Sequence, residues 1–435
     1  MHGCDGQGKA IHQTEQVFGI AIDLGTTTVV AKLIDMATGR CVGTQSAINP
    51  QIQYGDDVIS RITYAQTDEK LYQLHKVIIN CVNELTAKLC KQAAISANQV
   101  YQMCVVGNTT MTHIFLKLPI KQLGQAPYKA FSLDAWDLPA CEASLNINPA
   151  GNIHVVENIA GFVGSDTVAV ALATDIGSAK DMTLAIDIGT NGEVILGTAE
   201  KLYAASCAAG PALEGARISC GSRAVEGAIE AVFVNEGDIG LDVIGGYPPA
   251  SICGSGLIDA VAVLLNLGVI DTTGRFVERQ KLGNGLSSAV LSRIIEYDNQ
   301  PAFVLAYAEG GSSPKVVLTQ KDVRQMQLAK AAIRAGTRIL QKKLGVADSD
   351  IKQILLAGAF GNYIRRESAL RTGLLPNVPV ERIYFVGNAA SSGAQMILLS
   401  NYWRTMAKEL ASKIEYVEIA NEKDFGSIFA DCMLF

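Results

Sequence analysis

The chain has 435 residues, 49% of them hydrophobic, 18% charged and 6% aromatic, with a formal net charge of −6. That length exceeds one simple core and favours two large domains. The acidic balance, the lack of a Lys/Arg-rich block and the few aromatics argue against a nucleic-acid partner.

No hydrophobic leader opens the sequence, and the longest apolar stretch, Leu257 to Ile270, is interrupted by Asp259 and Asn266 and too short for a bilayer. No membrane association is expected. Ten cysteines are scattered without a C-x-x-C pair, which speaks against a zinc ribbon or an iron–sulfur cluster in this chain and for a reducing, cytoplasmic setting.

Residues 1–16 are polar, glycine-containing and aperiodic, and read as a flexible tail. Three strand-like runs follow between Val17 and Gly43. The first two, Ile20-Ala21-Ile22-Asp23-Leu24 and Thr28-Val29-Val30, flank Gly25-Thr26-Thr27 and predict a hairpin. A glycine there lets backbone approach a ligand, and free amides with threonine hydroxyls can donate to phosphate oxygens. Asp23, at the strand mouth, could hold a divalent cation through its water shell.

Asn49 to Val58 is dense in turn residues and leads into a helical segment, with Asp56 and Asp57 placed to cap it, or else with the loop framing the cleft or a partner surface. An amphipathic helix is predicted over Glu69–Ala94, then a strand over Tyr101–Val106. That strand ends in Gly107-Asn108-Thr109-Thr110, a tight turn at a helix N-terminus of the kind that can hold an anion. His113 reads as a packing or capping residue. Residues Leu118 to Pro149 look irregular. Glu157 to Thr174 is a glycine-rich entry into a helix with Asp166 near its start, expected to be a cleft carboxylate.

The decisive signal lies 164 residues beyond the first hairpin. Leu184-Ala185-Ile186-Asp187-Ile188-Gly189-Thr190-Asn191 repeats the apolar-Ala-Ile-Asp-apolar-Gly-Thr pattern, and an internal repeat reshapes the fold expectation. Next come a glycine-rich loop, Ala208 to Ala224, and Ser251-Ile252-Cys253-Gly254-Ser255-Gly256, whose small residues open a helix and offer an anion site. A β-rich insertion is expected near 271–320 and a long helix over Lys321–Leu344. A strand, Gln353 to Ala357, runs into Gly358-Ala359-Phe360-Gly361, a flat surface suited to a purine. Phe385-Val386-Gly387-Asn388 echoes Val105-Val106-Gly107-Asn108, and the tail from Ile414 reads as a strand and a short helix.

Together these pieces resemble the acetate/sugar kinase, heat-shock chaperone and actin superfamily. The fold class this implies is α/β, with two duplicated ribonuclease-H-like (actin-like) domains and an interdomain nucleotide cleft. The lobes would be 17–180 and 181–435. Within that superfamily, Val105–Thr110, Ala209–Ala216, Ile252–Asp259 and Leu355–Asn362 look like the ATP-dependent reductive activators of corrinoid proteins.

The resemblance implies ATP and Mg²⁺ as cofactors. Gly25, Thr26 and Thr27 with Gly189, Thr190 and Asn191 would hold the phosphates, joined by Asn108, Gly254 and Ser255. Gly358, Ala359, Phe360 and Gly361 would face adenosine. Asp23 and Asp187 would set the metal's water shell, with Asp166 or Glu157 orienting an attacking water.

The implied activity is ATP-driven reduction of a Co(II) corrinoid protein to Co(I). Such activators generally carry an N-terminal plant-type iron–sulfur cysteine run that this sequence lacks, so an external electron-donor protein is expected beside the corrinoid protein, with a homodimer as a further option. A small-molecule kinase and a nucleotide-gated chaperone or scaffold are the alternatives.

Overall fold

The computed structural model describes residues 16–282, 285–308, 310–311, 313–358 and 363–435. The chain divides into two compact units. One takes the chain up to Ala169 together with Ser391–Glu409, and the other takes Val170–Ala390 and Leu410–Phe435. Each unit has its own hydrophobic core.

The first unit opens with a meander of β1 (Phe18–Leu24), β2 (Thr28–Asp35) and β3 (Cys41–Ile48), then α1 (Val58–Tyr64) and α2 (Asp68–Ala93). Leu71, Leu74, Ile78, Val82, Leu85 and Leu89 line the buried stripe of α2, the spacing of one helix face. Thr67 caps its start, and Ala94, in the left-handed region, ends it. Then come β4 (Val100–Gly107), α3 (Thr109–Phe115), β5 (Trp136–Pro139), β6 (Asn152–Val155) and α4 (Ser165–Ala173). The sheet order is β3-β2-β1-β4-β6-β5. β1 is antiparallel to β2 and parallel to β4, which is parallel to β6.

The second unit repeats this plan. β7 (Thr183–Ile188), β8 (Gly192–Gly197) and β9 (Leu202–Cys207) form its meander. A three-stranded sheet follows, made of β10 (Ala228–Asn235), β11 (Asp238–Val243) and β12 (Ser251–Ile252), and then α5 (Gly254–Asn266) and α6 (Ser288–Ser292). A second three-stranded sheet, β13 (Ile294–Tyr297), β14 (Gln300–Tyr307) and β15 (Pro314–Thr319), supplies strands in the region where the sequence predicts an insertion.

The long helix α7 (Gln320–Leu344) is fastened at its N-terminus by a Thr319–Asp322 capping box. After it come β16 (Gln353–Ala357), α8 (Arg366–Arg371), β17 (Ile383–Gly387), α9 (Ala389–Leu399), α10 (Asn401–Lys413), β18 (Ile414–Tyr416) and α11 (Phe425–Met433). The main sheet runs β17-β16-β7-β8-β9-β18, with β7 antiparallel to β8 and parallel to β16, itself parallel to β17. Reading outward from the first strand, β1 and β7 thus occupy the same place in matching five-strand arrangements.

The topology corrects one detail of the repeat. The partner of β4 is β16, not β17, because β4 and β16 are the strands paired in parallel with β1 and β7. The Val-Gly-Asn echo at 386–388 therefore joins strands that occupy different places. A sharper equivalence lies at Gly107 and Gly358. A Cβ on Gly107 would stand 2.7 Å from the Leu24 carbonyl oxygen, and a Cβ on Gly358 would stand 2.7 Å from the Ile188 carbonyl oxygen. Both carbonyls belong to the residue after the hairpin aspartate.

Candidate functional site

In the first unit, Asp23 lies one residue from the end of β1, and the turn Gly25–Thr28 is closed by the Leu24–Val29 pair. Gly25 donates its amide to the Thr28 carbonyl at 3.0 Å, and a Cβ at Gly25 would meet that oxygen at 2.5 Å. Glycine is required by this closeness.

The three carbonyls of the turn are all taken. Asn49 Nδ2 donates to Gly25 O at 2.9 Å, Arg61 Nη2 to Thr26 O at 2.7 Å, and the Asn49 amide to Thr27 O at 2.9 Å. Asn49 and Arg61 are fully buried. A trans peptide points its N–H opposite to its C=O, so carbonyls drawn inward turn the amides of Thr26, Thr27 and Thr28 away from this network. Asn108 completes the arrangement: its Oδ1 caps α3 by accepting from the Met111 amide, and its Nδ2 donates to Thr26 Oγ1 at 2.9 Å.

Asp166 sits in the first turn of α4. That helix start is locked to β4 by Ser165, whose Oγ donates to the Gly107 carbonyl and accepts from its amide, both at 3.1 Å. Burial pushes the Asp166 carboxyl up to about 7, the Thr167 amide opposes this, and the nearby Asp23 carboxylate adds to the rise. A buried carboxyl raised to about 7 beside a second carboxylate can take or hold a proton near neutrality. Glu157, just past β6, carries a buried Oε2 without a hydrogen-bond partner among the described residues.

In the second unit the turn is one residue shorter: Gly189, Thr190 and Asn191 are closed by the Ile188–Gly192 pair, with the Gly189 amide on Asn191 O at 3.1 Å. Thr190 donates its hydroxyl to Glu214 Oε1 at 2.7 Å. Glu214 ends a one-turn helix, Pro211–Glu214, followed by Gly215 in the left-handed region. Glu193, next along β8, accepts from Ser206 Oγ at 3.2 Å.

Gly358, at φ +99°, leaves open a space that a Cβ would fill at 2.8 Å from Asp187 Oδ1. Among the described residues no group of three or more His, Cys, Asp or Glu side chains is gathered for direct metal ligation. Mg²⁺ usually keeps several waters and takes one or two carboxylates, so a role for Asp23 and Asp187 through water fits the residues present. The bare Gly358 gives Asp187 room for such a shell.

Other anticipated residues fall elsewhere. Gly254 and Ser255 are buried at the start of α5. The Ser255 hydroxyl is spent on the Glu230 carbonyl at 2.8 Å, and the next glycine, Gly256, would place a Cβ 2.3 Å from Ile229 O. These small residues pack α5 onto β10. Ala359, Phe360 and Gly361 lie outside the described residues. Asp57 caps α1 through the Ser60 amide at 2.8 Å. His113 is buried, with Nδ1 on the Thr109 carbonyl at 2.7 Å, and burial lowers its pKa. Six described cysteines, among them Cys81 and Cys104, are buried, and burial pushes the Cys104 thiol up to about 12. Sequence reasoning missed Asn49, Arg61, Glu193 and Glu214. For Glu214 a signal existed in the glycine-rich run Ala209–Ala216.

Family comparisons cover the chain almost end to end. The model of the RACo middle region matches residues 18–179, and that of the C-terminal domain of RACo, the ASKHA domain, matches 181–435. The corrinoid activation enzyme RamQ of Eubacterium limosum is 40% identical over 413 residues, 94% of this chain and 69% of the relative. A Co(II) methylated amine-specific corrinoid protein reductase of Methanosarcina barkeri is 26% identical over 447 residues, covering 95% and 76% respectively. The solved structure of a reductive activator for a corrinoid, iron–sulfur protein superposes with a TM-score of 0.87 at 37% identity, over 98% of this chain and 67% of that one. Among the described residues no helix is long and apolar enough to cross a membrane. The chain belongs to the RACo family, and carries its middle region and its C-terminal ASKHA domain, which has the actin-like ATPase fold.

Proposed function

We propose that this protein binds Mg-ATP through its two Asp-Gly-Thr hairpins and uses ATP hydrolysis to drive one-electron reduction of a Co(II) corrinoid protein to Co(I). A low-potential donor supplies the electron. The observation that carries the nucleotide reading is the capture of the Gly25, Thr26 and Thr27 carbonyls by Asn49 and Arg61, which turns consecutive amides outward as phosphate donors.

Mg²⁺ would supply neutralisation of the phosphate charge. The backbone of the first turn would offer amides to the phosphates, Asp23 and Asp187 would each act on a cation through water, and Asp166 would hold or take a proton from the attacking water. A change of affinity for one partner conformation on hydrolysis is how binding free energy can drive an uphill electron transfer. The relatives' names, which speak of corrinoid activation and of reduction of a Co(II) corrinoid protein, support the choice of partner.

The test is ATP turnover with a purified Co(II) corrinoid protein and a low-potential electron donor, with Co(I) followed by its absorption spectrum. Co(I) that forms only with ATP supports the reading. Stimulation by a metabolite, with its phosphorylation, replaces it with a kinase. ATP turnover unaffected by any corrinoid protein removes the corrinoid role.

A further inference from the structure

Arg61 is the largest fully buried side chain of the protein among the described residues. It projects from α1, and its donors reach neutral acceptors: Gly55 O at 3.0 Å, Gln51 Oε1 and Met111 Sδ at 3.1 Å, and Thr26 O at 2.7 Å. No carboxylate forms an ion pair with it among the described residues. Asp57 and Asp56 act on it through space only, and the Asp57 side chain is engaged in capping α1. Gln51 is itself fully buried and anchored to the Leu74 carbonyl at 3.0 Å, so the guanidinium is held in one place.

A buried, unpaired cation is costly unless an anion compensates it. This one grips the peptide whose carbonyl belongs to Thr26 and whose N–H belongs to Thr27. A charged donor on the carbonyl strengthens the N–H on the other side of the same peptide. Burial draws the guanidinium down to about 10, which leaves it charged at neutral pH.

We propose that Arg61 is a positioning residue for phosphate binding: it acts through the Thr26 carbonyl, and the terminal phosphates of the bound nucleotide balance its buried charge. This rests on the nucleotide reading above. The second turn has the opposite backing, since Thr190 points its hydroxyl at the Glu214 carboxylate.

The test compares binding of MgATP and of adenosine by calorimetry in the wild type, R61K, R61Q and Q51L. Adenosine lacks phosphates, so a loss of fold weakens both ligands together, whereas the proposed role weakens MgATP alone. R61Q is expected to bind MgATP roughly 100-fold more weakly, as befits a charge-assisted network, R61K about tenfold, and Q51L, which loosens the guanidinium without removing it, about threefold. Adenosine affinity should stay within about twofold throughout. Should R61Q fail to fold, R61K and Q51L decide. Equal weakening of both ligands, or unchanged MgATP affinity in folded R61K and Q51L, overturns the role of Arg61. Failure of the wild type to bind MgATP overturns the nucleotide reading itself.

Discussion

Behind the Gly25–Thr28 turn stand donors, Asn49, Arg61 and Asn108, whereas an acceptor, the Glu214 carboxylate, stands behind Gly189–Asn191. The five-strand order and a glycine against the carbonyl of the residue after each hairpin aspartate are shared, so the difference lies around a common scaffold. Donors drawn to the carbonyls of the first turn make its outer face electropositive, suited to an anion. The second turn instead fixes a threonine hydroxyl, and Gly358 places no side chain against Asp187 Oδ1. Duplication supplied two hairpins, and the residues behind them differ in what they offer each turn.

That difference can be broken experimentally, most severely at the second hairpin. Asp187→Ala should lower ATP hydrolysis by on the order of 10³-fold with an unchanged circular dichroism spectrum, and a wild-type rate would remove Asp187 from the site. The paired substitutions Gly358→Ala and Gly107→Ala sharpen the contrast. At Gly358 the new methyl meets both Ile188 O and Asp187 Oδ1 in a left-handed backbone, and hydrolysis should fall by roughly 10²-fold. At Gly107 it meets the Leu24 carbonyl and Cβ but no carboxylate, so the melting temperature should drop more than the rate; equal rate losses would dissolve the distinction.

Asp166 tests the first unit through pH. Its folded carboxyl, near 7 against an ordinary 3.8, keeps a proton that the unfolded chain releases between those values. It therefore costs stability progressively as pH rises from about 4 to about 7. Asp166→Asn should raise the melting temperature at pH 8 and leave it unchanged at pH 4, while hydrolysis falls by about 10²-fold, as for loss of a proton acceptor. In the wild type, hydrolysis should climb as pH passes about 7, and a flat profile there would reassign the water-orienting role. The mildest change is Thr190→Val, which removes the 2.7 Å bond to Glu214 and should slow turnover by about tenfold, in line with one charged hydrogen bond.

Much of the scaffold was legible because its signals are local. The repeat around Asp23 and Asp187 announced two hairpins, and α2 showed itself by its amphipathic period, while the Thr67 and Thr319 caps came to light only in the structure. Asp166 drew attention by lying just before the second Asp-Gly-Thr hairpin, and the structure adds its burial beside Asp23. Arg61 was not legible: in Val58-Ile59-Ser60-Arg61-Ile62 a lone arginine reads as a solvated helix position, and only the surrounding Gln51, Met111 and turn carbonyls make it buried. Long-range packing decides such a residue, and local pattern carries no trace of it. Ser255 shows the converse. Its small-residue run resembles an anion site, yet the hydroxyl is claimed by a β10 carbonyl. The return of Ser391–Glu409 to the first unit likewise depends on contacts far apart in the chain.

The inward capture of the Gly25, Thr26 and Thr27 carbonyls has a consequence for how this protein varies. A turn whose ligands are peptide groups stores its specificity outside itself, in Asn49 and Arg61, some 22 to 36 residues downstream. Its peptide donors serve only while the backbone keeps its course. The residues that cannot drift are those that hold it, and relatives that have lost nucleotide binding should betray it first at the positions of Asn49 and Arg61, with their Gly-Thr-Thr still in place.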